Sequence, residues 1–398
     1  MKKVLFITSR NIFTTCGEIR LIKNRAEALY QYYGVATDFL AIAKKERINA
    51  PDKEEINSGG VREGLETQLT NPISVINSFN KLKKITKKRI TSNEYSAVIL
   101  SGTGPQKMAS VIKSYSDIKI IVDCHGASET TEEALRKYSP LGQVWHRIIS
   151  ATDRRLLKTG FKYFDGCFVV SPALERYEIK KYNVGNGVKF FKIPCATTTE
   201  SMELDKYIEN RVKYRNKYGI KDNEVVFVYS GGVSSWQCIE EAISLYKRIK
   251  ELYERPTRLM VFSHMIDSIK KIVGDDREII IDSYSPVELE KALCAGDYAF
   301  LLRRKSIINE VAFPNKYLEY VKSGMRIITT PYVDEIANQV KEYGIGYIYD
   351  FDQPDKMIIE YLTHEDLNER KVINIADKIL EYNGFKNRLK PFVEYIES

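Results

Sequence analysis

Short apolar runs alternate with longer amphipathic stretches along most of this chain. In its first half the apolar runs predict strands, and the stretches between them predict helices. The predicted strands lie at 3–8, 36–42, 96–102, 119–126, 166–171 and 190–195, and the predicted helices at 18–33, 73–92, 128–137 and 143–160. Residues 44–70 are rich in Lys, Glu, Asn and Gly and predict an irregular connection. Strands that alternate with helices are typical of βαβ units with a mainly parallel sheet.

The same alternation starts again after Pro194. The polar segment 196–205 predicts a linker, and a second series of strands follows it: VVFVYSGG, RLMVFS, EIIIDSY, YAFLLR, RIITTPY and IGYIYDF. The segment 369–398 has a helical pattern that we expect to be interrupted at Gly384 and Pro391. We therefore predict two doubly wound domains, 1–195 and 196–372, and a C-terminal helical segment, 373–398, that packs back on the first domain.

Composition limits the class of protein. A chain of 398 residues, 43% of them hydrophobic, can bury the cores of two domains. Its six cysteines are scattered and form no C-x-x-C, which argues against a zinc site and a disulfide framework and indicates a reducing cytoplasm. The first apolar run is too short for a signal peptide and fits a buried strand. No run approaches the roughly 20 apolar residues that span a bilayer.

Charge is divided unevenly between the two halves. The formal net charge is +8, with +13 on residues 1–195 and −5 on residues 196–398. The densest basic cluster is KLKKITKKR at 81–89. It predicts either an anionic partner, such as a phospholipid surface or a lipid-linked phosphate, or a solvated basic helix face. Nucleic acid is not expected, because no binding motif is present and the second half is acidic.

The segment 307–330, IINEVAFPNKYLEYVKSGMRIITT, carries the strongest chemical signal. The apolar run before it ends at Arg303, and a turn at 314–316 then opens a short helix that carries Glu319 and stops at Gly324 before another strand. This order places a helix N-terminus, a cation and a carboxylate at the carboxyl end of a parallel sheet, where nucleotides bind.

Three segments of the second half, in this order, carry a family resemblance: VYSGGVSSWQCIEEAISLYKRI, SPVELEKALCAGDYAFLLR and FPNKYLEYVKSGMRIITT. They resemble the Gly-rich turn, the helix and strand before the donor site, and the donor-binding helix of glycosyltransferases of the GT-B fold, especially the retaining group called family 4. The resemblance spans nearly the whole chain. It implies an α/β protein in which two Rossmann-like doubly wound domains face a central cleft.

The resemblance implies a donor site for a nucleoside diphosphate sugar in the second domain. Glycines in the turn let a diphosphate approach the backbone, the helix opening and its lysine attract a phosphate, and the helix carboxylate accepts hydrogen bonds from the ribose. An ordinary turn, an Asn cap and solvated charges are the structural alternatives at these positions. The predicted donor residues are Ser230, Gly231, Gly232, Tyr284, Arg303, Pro314, Asn315, Lys316 and Glu319. Of these, Tyr284 would stack on the base, and Arg303 would neutralise the departing diphosphate.

The first domain supplies the other candidate residues. Gly17, in the loop after the first strand, would allow that loop to approach the donor phosphates, although a plain βα turn is an equal alternative. Asp123 and His125 end a strand; His125 would hydrogen-bond the donor sugar or the acceptor, and Asp123 or Glu129 would orient the acceptor hydroxyl. A histidine satisfied by backbone is the alternative. Residues 44–70 predict either an acceptor loop or a surface insertion.

Two positions depart from the family pattern. Many members have an E-x7-E arrangement that ends at the equivalent of Glu319, but Val311 lies eight residues earlier in this chain. Members also often place a lysine soon after the Gly-rich turn, where this chain has 234–236, SSW. We expect Arg303 and Lys316 to replace the charge of that lysine.

The sequence thus predicts a cytoplasmic enzyme, either soluble or attached peripherally to the inner face of the cell membrane. It would transfer a sugar from a nucleoside diphosphate to a glycan or lipid-linked acceptor, with retention. Such a reaction belongs to cell-surface polysaccharide or glycoconjugate biosynthesis. It requires neither a metal nor another cofactor, because arginine, lysine and helix N-termini can take the charge role. The alternatives are a sugar-nucleotide epimerase or glycan phosphorylase of the same architecture, and an inactive protein that only binds nucleotide sugar.

Overall fold

The computed structural model describes residues 2–9, 12, 17–43, 57–66, 72–128, 140–195, 202–274, 276, 278–365 and 368–398. The chain forms two compact units. The first unit is Met1–Thr198 with Phe385–Ser398, and the second is Thr199–Gly384. The sequence places the corresponding boundaries after 195 and after 372.

The first unit is built on a parallel sheet whose seven described strands have the order β3-β2-β1-β4-β5-β6-β7. The central strands are buried along their whole length, as their continuous apolar runs predict. Strand order reverses between β1 and β4, so the carboxyl ends of these two strands flank a switch point. The strands are β1 Lys3–Thr8, β2 Ala36–Ala43, β3 Arg62–Glu66, β4 Ala97–Ser101, β5 Lys119–Asp123, β6 Gly166–Val169 and β7 Lys189–Lys192.

Helices connect these strands. The helix after β6 shows how local sequence sets the ends: Ser171 accepts a hydrogen bond from the Leu174 amide at its start, and Asn183 takes the left-handed conformation at its end. The described helices are α1 Gly17–Tyr33, α2 Pro72–Ser92, α3 Thr103–Gln106, α4 Met108–Lys113, α5 Pro140–Gly160 and α6 Pro172–Tyr182.

The prediction of an irregular connection over 44–70 is wrong at 62–66, where the chain forms the edge strand β3. This segment, REGLE, has no apolar alternation, and Leu65 is its buried apolar residue. The strand forms because its backbone pairs in parallel with β2, and Glu63 also accepts hydrogen bonds from Arg89 of α2. Backbone pairing at a sheet edge leaves little trace in the side-chain pattern.

The second unit repeats this architecture with six described strands in the order β10-β9-β8-β11-β12-β13. Successive strands leave β8 in one direction and β11 in the other, so strand order reverses between them. The crevice at the carboxyl ends of two such strands is where open α/β sheets bind ligands. The strands are β8 Val225–Ser230, β9 Thr257–Phe262, β10 Ile279–Asp282, β11 Tyr298–Leu301, β12 Arg326–Thr329 and β13 Gly346–Ile348.

The helices of the second unit begin and end largely where the sequence predicts. Ser285 caps the helix that starts at Pro286, and Gly344 ends another in the left-handed conformation. The described helices are α7 Leu204–Lys217, α8 Ile239–Leu252, α9 Ile266–Val273, α10 Pro286–Leu293, α11 Ile307–Glu310, α12 Asn315–Lys322, α13 Asp334–Tyr343, α14 Asp355–His364 and α15 Glu369–Asn383. A 3-10 turn, Ser235–Gln237, precedes α8.

The last helix, α16 Phe385–Glu397, belongs to the first unit. Phe392 lies edge-on to Phe168, with ring centroids 4.8 Å apart, and to Phe191 at 5.5 Å. The predicted interruption at Gly384 is confirmed, but the one at Pro391 is wrong, because Pro391 lies inside α16. Packing of the apolar face outweighs the one hydrogen bond that a proline removes.

Candidate functional site

The switch point of the second unit is held by a buried tyrosine. Tyr320, on α12, is 0% exposed. The Ser230 amide, at the end of β8, donates to the Tyr320 hydroxyl oxygen at 2.8 Å, and that hydroxyl donates to the Ser230 carbonyl at 3.3 Å. This pair of hydrogen bonds fixes the start of the Gly-rich turn to the helix that carries the predicted donor residues.

Lys316 lies in the first turn of α12, against the Gly-rich turn. Its Nζ donates to Gln237 Oε1 at 3.2 Å and lies 5.3 Å from the centroid of the Tyr229 ring. The Tyr229 hydroxyl in turn donates to the Gly232 carbonyl at 2.7 Å and lies 3.2 Å from Gln237 Oε1. The turn after β8 and the opening of α12 therefore form one connected group.

Gly231 makes this approach possible. A Cβ atom at this position would lie 1.7 Å from Lys316 Nζ and 2.7 Å from Gln237 Oε1, and φ is +150°. A side chain here would displace the lysine. The sequence predicts that this glycine lets a diphosphate approach the backbone; in the structure the same space admits the ammonium group of Lys316.

Arg303 follows β11 and is 7% exposed. Its Nη1 donates to the Leu302 carbonyl at 2.8 Å and to the Gln237 carbonyl at 3.3 Å. Its main chain is held by Thr330, which donates from its hydroxyl to the Arg303 carbonyl at 2.7 Å. The neighbouring Arg304 is exposed and pairs with Glu241, whereas the guanidinium of Arg303 contacts the turn after β8 through the Gln237 carbonyl.

Arg303 and Lys316 form an unpaired group of cations among the described residues. Within the described part of the chain, neither Arg303 nor Lys316 forms an ion pair with a carboxylate. Burial lowers the pKa of Arg303. Burial, and then the charge of Arg303, lower the pKa of Lys316 to about 7, although Glu319 acts in the opposite direction. Such a site favours an anion, because an added negative charge would relieve the repulsion.

The opening of α12 adds a favourable dipole. Pro314 occupies the N-cap position, Asn315 is the first helical residue, and no side chain caps the helix. The backbone N–H groups of the first turn and the positive end of the helix dipole are suited to a phosphate. Glu319 lies one turn further along and is half-buried. The structure thus brings together the predicted residues at the helix opening, the Gly-rich turn and Arg303.

Val311, at the position where the family pattern has a glutamate, is the C-cap residue directly after α11 and is 1% exposed. Asn309 is also buried, and its Nδ2 donates to the Arg304 carbonyl at 2.8 Å. An apolar side chain therefore fills this place.

Tyr284 belongs to a different cluster. Its hydroxyl contacts Lys217 and Tyr218, and its ring packs against Tyr214 and Phe262 with centroids 5.8 and 5.7 Å apart. The contacts of Tyr284 with described residues do not include the group around Lys316. The structure therefore does not bring this predicted residue together with the other donor residues.

In the first unit, Asp123 ends β5 and contacts both Arg25 and His125. Arg25 Nη1 donates to Asp123 Oδ1 at 2.7 Å, and His125 Nε2 lies 2.7 Å from Asp123 Oδ2. Burial alone would raise the pKa of Asp123, but Arg25 and His125 outweigh it and hold this pKa well below its usual range. Asp123 is therefore an ionised acceptor with both oxygens occupied.

The remaining sequence candidates carry less structural information. Gly17 begins α1, whereas Glu129 and most of the loop before Gly17 lie outside the described residues. Among the residues that are described, no group of three His, Cys, Asp or Glu side chains is arranged to hold a metal ion. In the same part of the chain, no helix is long and apolar enough to cross a membrane.

Sequence reasoning missed several residues of these two groups. Tyr320 could have been predicted as buried, because it lies three positions after Tyr317 on the apolar face of its helix. Arg25 could have been singled out as an unusual charge, since it interrupts the apolar face of α1 beside Ala26. No sequence pattern marks Gln237, because its role depends on where the turn after β8 meets α12.

The chain matches no protein-family model and no curated protein sequence. Solved structures similar to it include sucrose-phosphate synthase from Thermosynechococcus elongatus, with 12% identity, a TM-score of 0.71 and coverage of 100% of this chain and 99% of that chain. HepE from Anabaena in complex with UDP has 11% identity, a TM-score of 0.69 and 100% coverage of both chains. A glycosyltransferase from Rickettsia africae has 11% identity, a TM-score of 0.68 and coverage of 100% and 98%. The predicted fold is confirmed: the chain has the GT-B fold of glycosyltransferases.

Proposed function

We propose that this protein is a glycosyltransferase that binds a nucleoside diphosphate sugar in its second unit and transfers the sugar to an acceptor hydroxyl. The observation that carries the proposal is the pair of cations, Arg303 and Lys316, which lies at the switch point without a carboxylate partner among the described residues. A diphosphate would supply the missing negative charge. HepE, which has a similar fold, is known in complex with UDP-glucose, and this supports a nucleotide sugar as the class of donor.

The proposed chemistry uses these charges when the sugar leaves. The bond between the anomeric carbon and the diphosphate breaks, negative charge grows on the diphosphate, and Arg303 and Lys316 stabilise it. The N-terminus of α12 adds its dipole. Glu319 would accept hydrogen bonds from the ribose hydroxyls and so hold the nucleoside.

We further propose retention of configuration, with the donor diphosphate deprotonating the acceptor, and no metal or other cofactor. The acceptor would be a glycan or a lipid-linked glycan bound by the first unit. A place in cell-surface polysaccharide or glycoconjugate synthesis is supported by the similarity in fold to WaaG, a glycosyltransferase involved in lipopolysaccharide biosynthesis, with a TM-score of 0.60 and 11% identity.

The basic face of α2 supports contact with an anionic membrane surface. Lys81, Lys84 and Lys88 are exposed on this helix, whereas Leu82 and Thr86 are buried. Each lysine near an anionic bilayer contributes roughly 1 kcal/mol. We expect binding to vesicles that contain anionic phospholipid and none to neutral vesicles. Substituting the three lysines with glutamate should abolish binding; if it does not, this face is only solvated.

The donor site is tested by thermal unfolding with a panel of nucleotide sugars. A donor at about one hundred times its dissociation constant should stabilise the protein by about 2.7 kcal/mol. Lys316→Ala and Glu319→Ala should each weaken this effect, whereas Lys356→Ala, which removes an exposed lysine of α14, should not. Slow hydrolysis of the stabilising donor would show turnover. If no nucleotide sugar stabilises the wild type, the donor-site proposal is wrong.

One observation keeps a second function open. Val311 fills with an apolar side chain the place that the family gives to a glutamate associated with the donor sugar. A sugar-nucleotide epimerase of the same fold would form product from donor without any acceptor, whereas a transferase needs one. An inactive binding protein would be stabilised by donor and show no turnover with any acceptor.

A further inference from the structure

Gln237 contacts both cations of the candidate donor site. It ends the 3-10 turn before α8, and its side-chain oxygen Oε1 accepts a hydrogen bond from Lys316 Nζ at 3.2 Å. Its main-chain carbonyl accepts another from Arg303 Nη1 at 3.3 Å. Because an ammonium group only donates, the oxygen of the Gln237 amide must face Lys316. One residue therefore contacts two cations that have no carboxylate partner among the described residues, and it does so through neutral oxygens.

The backbone next to Gln237 is held in a strained conformation. Cys238 has a φ of +52° and a ψ of +44° and is 2% exposed. This left-handed region is unfavourable for a residue with a Cβ atom, and cysteine lacks the side-chain amide that lets asparagine adopt it. Surrounding contacts hold the turn: the Gln237 amide donates to the Ser234 carbonyl at 2.8 Å, and the Gln237 carbonyl accepts from Arg303. The main chain thus fixes Gln237 against both cations.

The neutral charge of Gln237 leaves the site open to an anion. A glutamate here would have nearly the same shape, but it would form an ion pair with Lys316 and reduce the net charge of the group by one. An apolar side chain would deprive the ammonium of this acceptor, in a place where burial already lowers its pKa. The amide avoids both effects, because it satisfies a donor without adding charge. Apart from Arg303, the charged or titratable groups that act on Lys316, or on Tyr229 beside it, are Glu319, Cys238 and Glu241.

We propose that Gln237 is a positioning residue of the donor site: it holds Lys316 through its side chain and Arg303 through its main chain, and because it is neutral it keeps both charges available to a diphosphate. The residue at this position therefore sets the charge of the site. The identity of the anion rests on the proposed function, but the contact that holds Lys316 does not.

The first measurement is an NMR titration of protein with isotope-labelled lysine, in which Lys316→Arg assigns the signal of Lys316. It needs no ligand. The wild-type midpoint should lie well below the ordinary lysine value of about 10.4. Gln237→Glu should raise this midpoint by about one pH unit or more, because a carboxylate favours the ammonium form, and Gln237→Met should lower it, because the ammonium loses its acceptor. A merely structural role would not shift the midpoint in opposite directions in the two variants.

The second measurement is the binding of inorganic pyrophosphate at pH 7, followed by calorimetry. The wild type should bind it, and Gln237→Glu should weaken binding by about tenfold or more, since one positive charge of the site is then compensated. Gln353→Glu is the matched control, because it makes the same change of charge in the second unit, at a glutamine that also contacts a tyrosine hydroxyl, that of Tyr347. It should leave both the pyrophosphate affinity and the Lys316 midpoint unchanged.

Two results would overturn the proposal. Unchanged midpoints in folded Gln237→Glu and Gln237→Met variants would mean that Gln237 does not hold Lys316. Wild-type affinity for pyrophosphate in Gln237→Glu would mean that the charge at this position does not control the site. If neither variant folds, the wild-type titration decides, because an ordinary lysine midpoint contradicts an ammonium held by a neutral acceptor beside a second cation. If the midpoints shift as expected but the wild type does not bind pyrophosphate, the contact with Lys316 is supported and the proposed donor site is wrong.

Discussion

Donor binding should take up a proton at neutral pH, because Lys316 is partly neutral before the donor arrives. The pKa of Lys316 is lowered to about 7 by burial and by the charge of Arg303. About half of the free protein therefore has a neutral Lys316 at pH 7, and about nine-tenths at pH 8. A diphosphate beside the lysine favours its charged form. Binding should then take up about half a proton at pH 7 and close to one proton at pH 8.

The sign of the pH dependence follows from this linkage. Below pH 7 the lysine is already charged, so donor affinity should change little. Above pH 7 the affinity should fall, by up to about tenfold for each pH unit, until the pKa of Lys316 in the complex is reached. Three neighbours of the ammonium do not titrate between pH 7 and 8: Gln237 is neutral, Arg303 stays charged, and burial raises the pKa of Tyr229.

Isothermal titration calorimetry measures this uptake directly, from the change in apparent binding enthalpy between buffers that differ in ionisation enthalpy. Lys316→Arg is the matched variant, because arginine stays charged throughout this range and should abolish the proton uptake while it keeps a cation in place. Donor binding that takes up no proton at pH 8 in the wild type would refute the reasoning, as would equal uptake in the Lys316→Arg variant.

Three further predictions concern the same region. Tyr320→Phe removes the partner of a buried amide at the end of β8 and should lower the free energy of unfolding in urea by about 1–3 kcal/mol. Tyr317→Phe should lower it much less, because the Tyr317 hydroxyl is buried without a hydrogen-bond partner among the described residues; equal losses in the two variants would contradict this prediction. Gly231→Ala should displace Lys316 and abolish thermal stabilisation by donor, whereas Gly232→Ala should keep this stabilisation, since the nearest atom to a Cβ there is 3.5 Å away. Donor binding retained in the Gly231→Ala variant would contradict the prediction that the displaced lysine is lost from the site. Without donor, the native state has a lowered pKa at Lys316 and so binds fewer protons than the unfolded state between about pH 7 and 10. The free energy of unfolding of the wild type relative to Lys316→Met should therefore rise across that window; a difference in free energy that does not change with pH would contradict the lowered pKa.

Periodicity was enough to predict most elements of both sheets. Buried central strands are continuous apolar runs, and the helices between them carry amphipathic patterns, so strand and helix are rarely both predicted for the same segment. The failures have a common cause. The strand at 62–66 forms through backbone pairing with β2, and Pro391 stays helical because α16 packs within the first unit. The residues near each segment in the sequence do not predict either contact.

The candidate site divides in the same way. The turn at Pro314 and the helix that carries Lys316 and Glu319 were predictable, because proline at a helix start and a following apolar stripe are local signals. Tyr284 was a weaker prediction, since a tyrosine after a strand can either face a ligand or pack into a cluster. Its contacts with Phe262 and Tyr218 come from elements far apart in the chain.

The sequence by itself determined the class of fold, the position of the Gly-rich turn and the helix that follows Pro314, because these depend on patterns within about twenty residues. Only the tertiary structure decided which charges meet. It brought Arg303 and Lys316 together at the reversal of strand order, and it balanced Asp123 with Arg25, nearly one hundred positions earlier in the chain. Charge interactions fall off with distance and strengthen with burial, and both quantities exist only once the chain has folded.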